Sequence, residues 1–212
     1  MECPHLLCYL NRLNRRRVAY LRQELEIQLK TEFISALQPA FGALAELELR
    51  PAQLPAKVNE LKPDMVVFTG DQVHLPYDKE QWDAFMEGIA DIDPSIEQYH
   101  LPGNHDHILK GGTADPQDFI ARFGSDRFAV TKGNVNIVGI NTSLIYFDSE
   151  LEQDQMVWLE ETLEATDESD VTLIFGHHPF FCENIDEEDS HVQITKSKRH
   201  QYFNYFKSKG VD

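Results

Sequence analysis

The chain has 212 residues, with 36 acidic and 19 basic side chains, a formal net charge of −17 and a pI of about 4.8. That length suits one globular domain, and 42% hydrophobic residues suffice for a sizeable core. So acidic a surface repels phosphate backbones and excludes nucleic-acid binding through a general basic face, and no apolar run approaches the roughly 20 residues of a membrane span. Three cysteines without regular spacing (Cys3, Cys8, Cys182) give no disulfide framework and fit a reducing, cytoplasmic setting. Acidity does not exclude a phosphorylated substrate, because a bound divalent ion inverts the field around it.

Leu6, Leu10, Leu13, Leu21, Leu25 and Leu29 recur at helical intervals, so residues 6–30 read as a helix. Arg12, Arg15, Arg16 and Arg17 follow its short apolar patch instead of preceding it, and the first 34 residues hold no serine; neither a secretory signal nor a transit peptide fits. Residues 1–31 differ in charge from the acidic remainder. They are expected to be a helical appendage to a domain over 32–212.

Residues 32–42 (EFISALQPAFG) are ambiguous and could be a short strand running into a loop at Pro39 and Gly42. Residues 51–63 read as a helix that Pro63 ends, and Met65 to Phe68 as a buried strand closed by Thr69-Gly70-Asp71. A helix is predicted over 79–92, then a strand in IEQYH that runs into LPGNHD. Another helix is expected over 115–123. A hairpin follows, with strands at 127–131 and 135–140 and a turn at Lys132-Gly133-Asn134. Residues 150–165 read as an acidic helix, VTLIF as a third buried strand, and 195–209 as a helix capped by Gly210. Strands alternate with helices, so the class is α/β. The cluster DEEDS, 186–190, reads as a solvated surface loop.

Three of these strands stop on similar loops: FTGD, HLPGNHD and IFGHHP. Ligands of open α/β sheets bind beyond the carboxyl ends of strands, so the loops could converge. Glycine allows the sharp turn and the close approach of a ligand. Asp71 offers a carboxylate, Asn104 an amide oxygen and His177 an imidazole, a mixed oxygen and nitrogen set suited to Mn, Fe or Zn. No thiolate accompanies them, which argues against a structural zinc centre. His105 would reach past the metal toward a substrate, steered by Asp106. His74, three residues after Asp71, is a candidate for the surrounding shell. His178 is open between a substrate-side and a structural role, and His100 and His107 read as structural or exposed. Trp82 and Trp158 read as helix core residues.

GDQVH, GNHD and GHHP, in that order, resemble the second, third and fourth motifs of the calcineurin-like metallophosphoesterases. From about residue 56 onward the chain is also similar to that family's calcineurin-like phosphoesterase domain-containing serine/threonine phosphatase subgroup, through LKPDMVVFTGD, the helix from Gln155 to Leu163, and ENIDEEDS. The resemblance implies a two-sheet sandwich flanked by helices. It implies a two-metal site bridged by Asp71, with Asn104 and His177 on the second ion, His105 stabilising the transition state or protonating the leaving group, and Asp106 orienting it. The implied reaction is hydrolysis of a phosphate ester, the substrate being a phosphorylated molecule such as a phosphoprotein, by metal-activated water attacking in line.

Two departures stand beside these matches. The best counterpart of the family's first motif is QPAFG, with Gln38 where an Asp is expected and Ala40 where His or Gln is expected. The fifth motif, Gly-His-x-His, would follow a strand beginning at GVD, and the sequence stops at Asp212. The expectation is one weak ion on Asp71, Asn104 and His177, with Gln38 as the remaining candidate ligand of the other, an impaired activity and a sandwich incomplete at its C-terminal side. The competing reading is a non-catalytic relative that binds phosphate or a partner protein.

Overall fold

The computed structural model describes residues 34–36, 53–110, 112–166 and 171–211. The helix expected over 6–30 and the stretch Gln38 to Gly42 lie outside the described residues. Within residues 32–42, strand β1 (Ile34–Ala36) is the part described. Helix α1 (Gln53–Leu61) follows, and Lys62 at φ +49° turns the chain into β2 (Met65–Phe68). Helix α2 (Lys79–Ala90) starts where Asp78 accepts the amide protons of Glu80 (3.0 Å) and Gln81 (3.2 Å), a side-chain N-cap. Strand β3 (Glu97–His100) then runs parallel to β2, which runs parallel to β1, so the first sheet has the order β1-β2-β3.

A small antiparallel hairpin comes next, β4 (Ile108–Lys110) with β5 (Thr113–Asp115). It shortens the helix expected over 115–123, because Asp115 is spent in the strand. Asp115 instead accepts the Gln117 amide proton (3.0 Å) as α3 (Gln117–Phe123) begins. Strands β6 (Phe128–Lys132) and β7 (Val135–Gly139) form the expected hairpin, with Lys132 opposite Val135. Gly133 takes the first central position of that two-residue turn at φ +60°, which a side chain would oppose. A short helix that the sequence reading did not anticipate, α4 (Thr142–Tyr146), precedes α5 (Glu152–Glu164). Strand β8 (Val171–Phe175) lies parallel to β7, giving a second sheet β6-β7-β8, and α6 (Lys196–Ser208) ends at Gly210, φ +70°.

Strand periodicity explains the layering. Val66 and Phe68 point to one side of β2 and pack with Val58, Phe85 and Ile89 of α1 and α2. Met65 and Val67 point to the other side and meet Val135 and Ile137 of β7. Val138 and Ile140 in turn pack on Leu159, Leu163, Tyr202 and Phe206 from α5 and α6. The result is helices, sheet, sheet, helices: the two-sheet sandwich flanked by helices that the sequence led us to expect. A strand buried on both faces reads as a continuous apolar run, as β2 does; β7 is buried along its whole length as well, with Asn136 its one polar side chain. Trp82 is buried, and Trp158 packs against the core beneath α5.

The DEEDS stretch lies on the surface, as expected, with Asp186, Glu188, Asp189 and Ser190 exposed, and it is also anchored. Arg199 on α6 is fully buried, and a buried guanidinium needs acceptors. It donates to Asp189 (2.7 Å) and to the Glu187 carbonyl (2.8 Å), while the Glu187 carboxylate accepts the amide protons of Cys182 (2.6 Å) and Glu183 (2.9 Å). These acidic residues fold the loop onto the helix.

Candidate active site

Strands β2, β3 and β8 end at the same edge of the sandwich, and the loops that follow them meet. The first turns at Gly70 (φ +111°) and Asp71 (φ +55°), a left-handed pair that swings the Asp71 carboxylate back over the strand ends. The second, Gly103 to Asp106, holds a single 3-10 turn (Asn104–Asp106). The third carries His177 and His178.

Their side chains converge. His177 Nε2 lies 3.1 Å from Asn104 Oδ1 and 3.4 Å from Asp71 Oδ1. Asp71 Oδ1 also accepts the His105 amide proton at 3.1 Å. On its far side His177 Nδ1 meets the Thr69 carbonyl at 2.9 Å. A carbonyl only accepts, so Nδ1 carries a proton there and Nε2 is the nitrogen that faces Asp71 and Asn104. Two oxygen acceptors and one ring nitrogen then face one another, a set that a positive charge between its members would satisfy. Ligand atoms about 2.0–2.2 Å from one ion stand roughly 3.0–3.5 Å apart, the spacing seen here. An imidazole whose other nitrogen donates to a carbonyl is also the usual way to aim a metal-binding histidine. The donor set therefore fits one divalent ion. Among the described residues, no group of three or more His, Cys, Asp or Glu side chains is placed to hold a metal; the third donor here is the Asn104 amide.

The loops interlock so closely that glycine is required. A Cβ on Gly70 would lie 2.5 Å from His177 Nδ1 and 2.6 Å from the Gly103 nitrogen. One on Gly103 would collide with the Asp71 carboxylate and lie 2.8 Å from His177 Cε1.

His105 stands beside this cluster. Its Nδ1 faces the His74 carbonyl at 2.8 Å, and its ring stacks on the His74 ring, centroids 4.9 Å apart. Asp106, expected to steer His105, makes its contacts with the loop backbone. Its hydrogen bonds go to the backbone, accepting from Gly103 N (2.8 Å) and Val73 N (3.2 Å), so it braces the second loop against the first. The reason is burial: the 3-10 turn directs Asp106 inward at 2% exposure while His105 stays at the rim. That burial, with the neighbouring Asp71 charge adding to it and the Gly103 amide opposing it, pushes the Asp106 carboxyl up to about 8. Gln38, the expected first-motif ligand, lies outside the described residues.

Beneath the cluster is a buried polar layer that the sequence reading missed. The Thr142 hydroxyl oxygen accepts from the amides of His177 (2.9 Å) and His178 (2.8 Å). Asn141 donates to Asp126 (2.9 Å), and its Oδ1 lies 3.4 Å from His107 Nε2. His178 is buried and stacks on Tyr146, centroids 4.3 Å apart, and burial lowers its imidazole to about 3. Its role is structural rather than substrate-side. The available signal was Asn-Thr-Ser at 141–143, a polar run closing the apolar strand β7, as in the three recognised loops.

A family model described as "Calcineurin-like phosphoesterase" matches residues 40–210. The chain is similar to the serine/threonine-protein phosphatase CPPED1 of Bos taurus, 28% identical over 208 residues, covering 84% of this chain and 66% of that protein. It is also similar to the protein of the same name from Danio rerio, 32% identical over 167 residues, covering 73% of this chain and 53% of that one. The chain thus spans only part of the length of these curated relatives. Among solved structures, a dimetal phosphatase from Danio rerio superposes with a TM-score of 0.57 at 14% identity, over 80% of this chain and 69% of that one, which is a likeness of fold.

Proposed function

The chain belongs to the calcineurin-like phosphoesterase family, and on that premise we propose that it is a metal-dependent hydrolase of phosphate esters, acting on phosphoserine or phosphothreonine in proteins. The observation that carries this reading is the convergence of Asp71, Asn104 and His177 on one point at the strand ends, with His105 alongside. The substrate class follows the phosphatase names of the relatives.

Asp71, Asn104 and His177 would hold the ion, of Mn, Fe or Zn type, and the described donors support one such ion. The chemistry it supplies is Lewis-acid polarisation of a phosphoryl oxygen and activation of water. The rest falls to the protein. His105 has Nδ1 committed to the His74 carbonyl, which leaves Nε2 to face the ester; in the imidazolium form that nitrogen would pass its proton to the leaving oxygen and keep the Nδ1 proton on the carbonyl. Asp106 fixes the peptide that carries Asn104 and His105, so both arrive in place without reorganisation. The proposed setting is cytoplasmic, in keeping with the sparse, irregular cysteines.

The test is hydrolysis of a chromogenic aryl phosphate with added Mn²⁺, followed by a phosphoserine peptide. The expected result is turnover by the wild type that Asp71→Ala abolishes. Equal turnover by both chains would refute the site. Phosphopeptide binding without hydrolysis would instead support a non-catalytic relative.

A further inference from the structure

We propose that Thr142 is the positioning residue for His177, its hydroxyl holding the 177–178 backbone so that the imidazole faces Asp71 and Asn104; the metal consequence rests on the function proposed above. A hydroxyl has two acceptor lone pairs and one proton. Here both lone pairs are engaged, by the amides of His177 at 2.9 Å and His178 at 2.8 Å. Its proton can go to His178 Nδ1 at 3.5 Å. Thr142 itself is fully buried, so no water replaces it as the acceptor of those two N–H groups.

The placement matters because the chain changes direction there. Strand β8 ends at Phe175, and Gly176 passes directly over the Thr142 methyl, where a Cβ would collide with Cγ2. The next two residues must project to different sides: His177 toward the donor cluster, and His178 onto Tyr146, with the two imidazoles nearly perpendicular at 87°. One oxygen gripping both amides fixes that divergence. The Thr69 carbonyl then only sets the rotation of a ring whose base is already placed. Thr142 is held in turn. It opens α4, whose N-cap Asn141 accepts from Ser143 N (3.1 Å), and Gln155 of α5 brackets Asn141 through its amide (2.7 Å) and carbonyl (3.2 Å). The buried face of α5 is thereby linked to the direction of His177. Groups of this kind, one step behind a ligand, commonly change metal affinity by about 10–100-fold.

Two substitutions separate the hydroxyl from the packing. Thr142→Ser keeps the oxygen and loses the methyl; Thr142→Val keeps the shape and loses the oxygen. The first readout needs no metal: the nuclear Overhauser contact between His177 Hε1 and Gly103 Hα, expected because these groups abut. It should persist in wild type and Thr142→Ser and vanish in Thr142→Val. The second is Mn²⁺ affinity, expected to fall at least tenfold in Thr142→Val and less than threefold in Thr142→Ser. Retention of the contact and of the affinity in Thr142→Val overturns the proposal. If wild type shows the contact but binds no Mn²⁺, the metal reading fails, and the contact series alone decides the role of Thr142. Should Thr142→Val not fold, amide exchange in the wild type decides: protected His177 and His178 amides support the proposal, and freely exchanging ones overturn it.

Discussion

Gly103 and Asp71 lie against each other so closely that no side chain fits between them. The position a Gly103 Cβ would take overlaps the Asp71 carboxylate and lies 2.8 Å from the His177 ring. Gly103→Ala must therefore push apart two of the three proposed ligands. The expected outcome is Mn²⁺ binding weakened at least tenfold with the fold retained, measured by titration and far-ultraviolet circular dichroism. Unchanged affinity would show that the loops have slack the packing does not suggest.

His105 makes a separate prediction, because in the proposed mechanism it would face the ester and not the ion. His105→Ala should reduce turnover by about 10²–10⁴-fold, the usual contribution of a positioned proton donor. Mn²⁺ affinity should change less than threefold. A parallel loss of both would place His105 among the ligands.

How much of this could be read from the residues depends on what each signal is made of. The run Met65–Phe68 and the glycine-polar loop after it announced a buried strand and the polar turn that carries Asp71, since apolar continuity and an abrupt polar end are local properties. The β4–β5 hairpin was not legible: each strand is three residues long, and pairing, not composition, defines it. The inward direction of Asp106 depends on a 3-10 turn that a linear pattern does not encode. Thr142 was missed because its value comes from β8 lying beside β7, a contact between residues 35 apart.

His100 supplies a pH dependence away from the ligands. Its ring stacks between Phe68 (4.5 Å) and Phe123 (4.3 Å), with Nδ1 buried and unpartnered, and burial depresses the imidazole from 6.5 to about 3. The unfolded chain binds a proton near pH 6.5 while the folded chain does not. Stability from this group is therefore full above pH 7 and declines as pH falls from about 6.5 toward 3, by at most about 1.4 kcal/mol per unit. His100→Phe removes the effect. Its stability relative to wild type should rise by about 2.5 kcal/mol between pH 7 and pH 4.5 in urea titrations. A constant difference would show that the ring is protonated in the fold.

Arg199 tests the folded acidic loop. Arg199→Met keeps much of the volume and removes the donors to Asp189 and the Glu187 carbonyl. Because Asp189 is half exposed, the loss should be about 2–3 kcal/mol, less than for a fully buried pair, or roughly 5–10 °C in melting temperature. Amide exchange at Cys182 and Glu183 should accelerate, as the Glu187 carboxylate that caps them loses its anchor. A loop that stays protected would mean that the Arg199 contacts are dispensable.

The central claim is that Asp71, Asn104 and His177 form a divalent-ion site. The most direct test is Mn²⁺ binding followed by electron paramagnetic resonance, comparing wild type with His177→Ala. The account predicts one ion per wild-type chain and a loss of at least tenfold in affinity for the variant. Equal binding by both would place the metal elsewhere and remove the basis for phosphoester hydrolysis at this site.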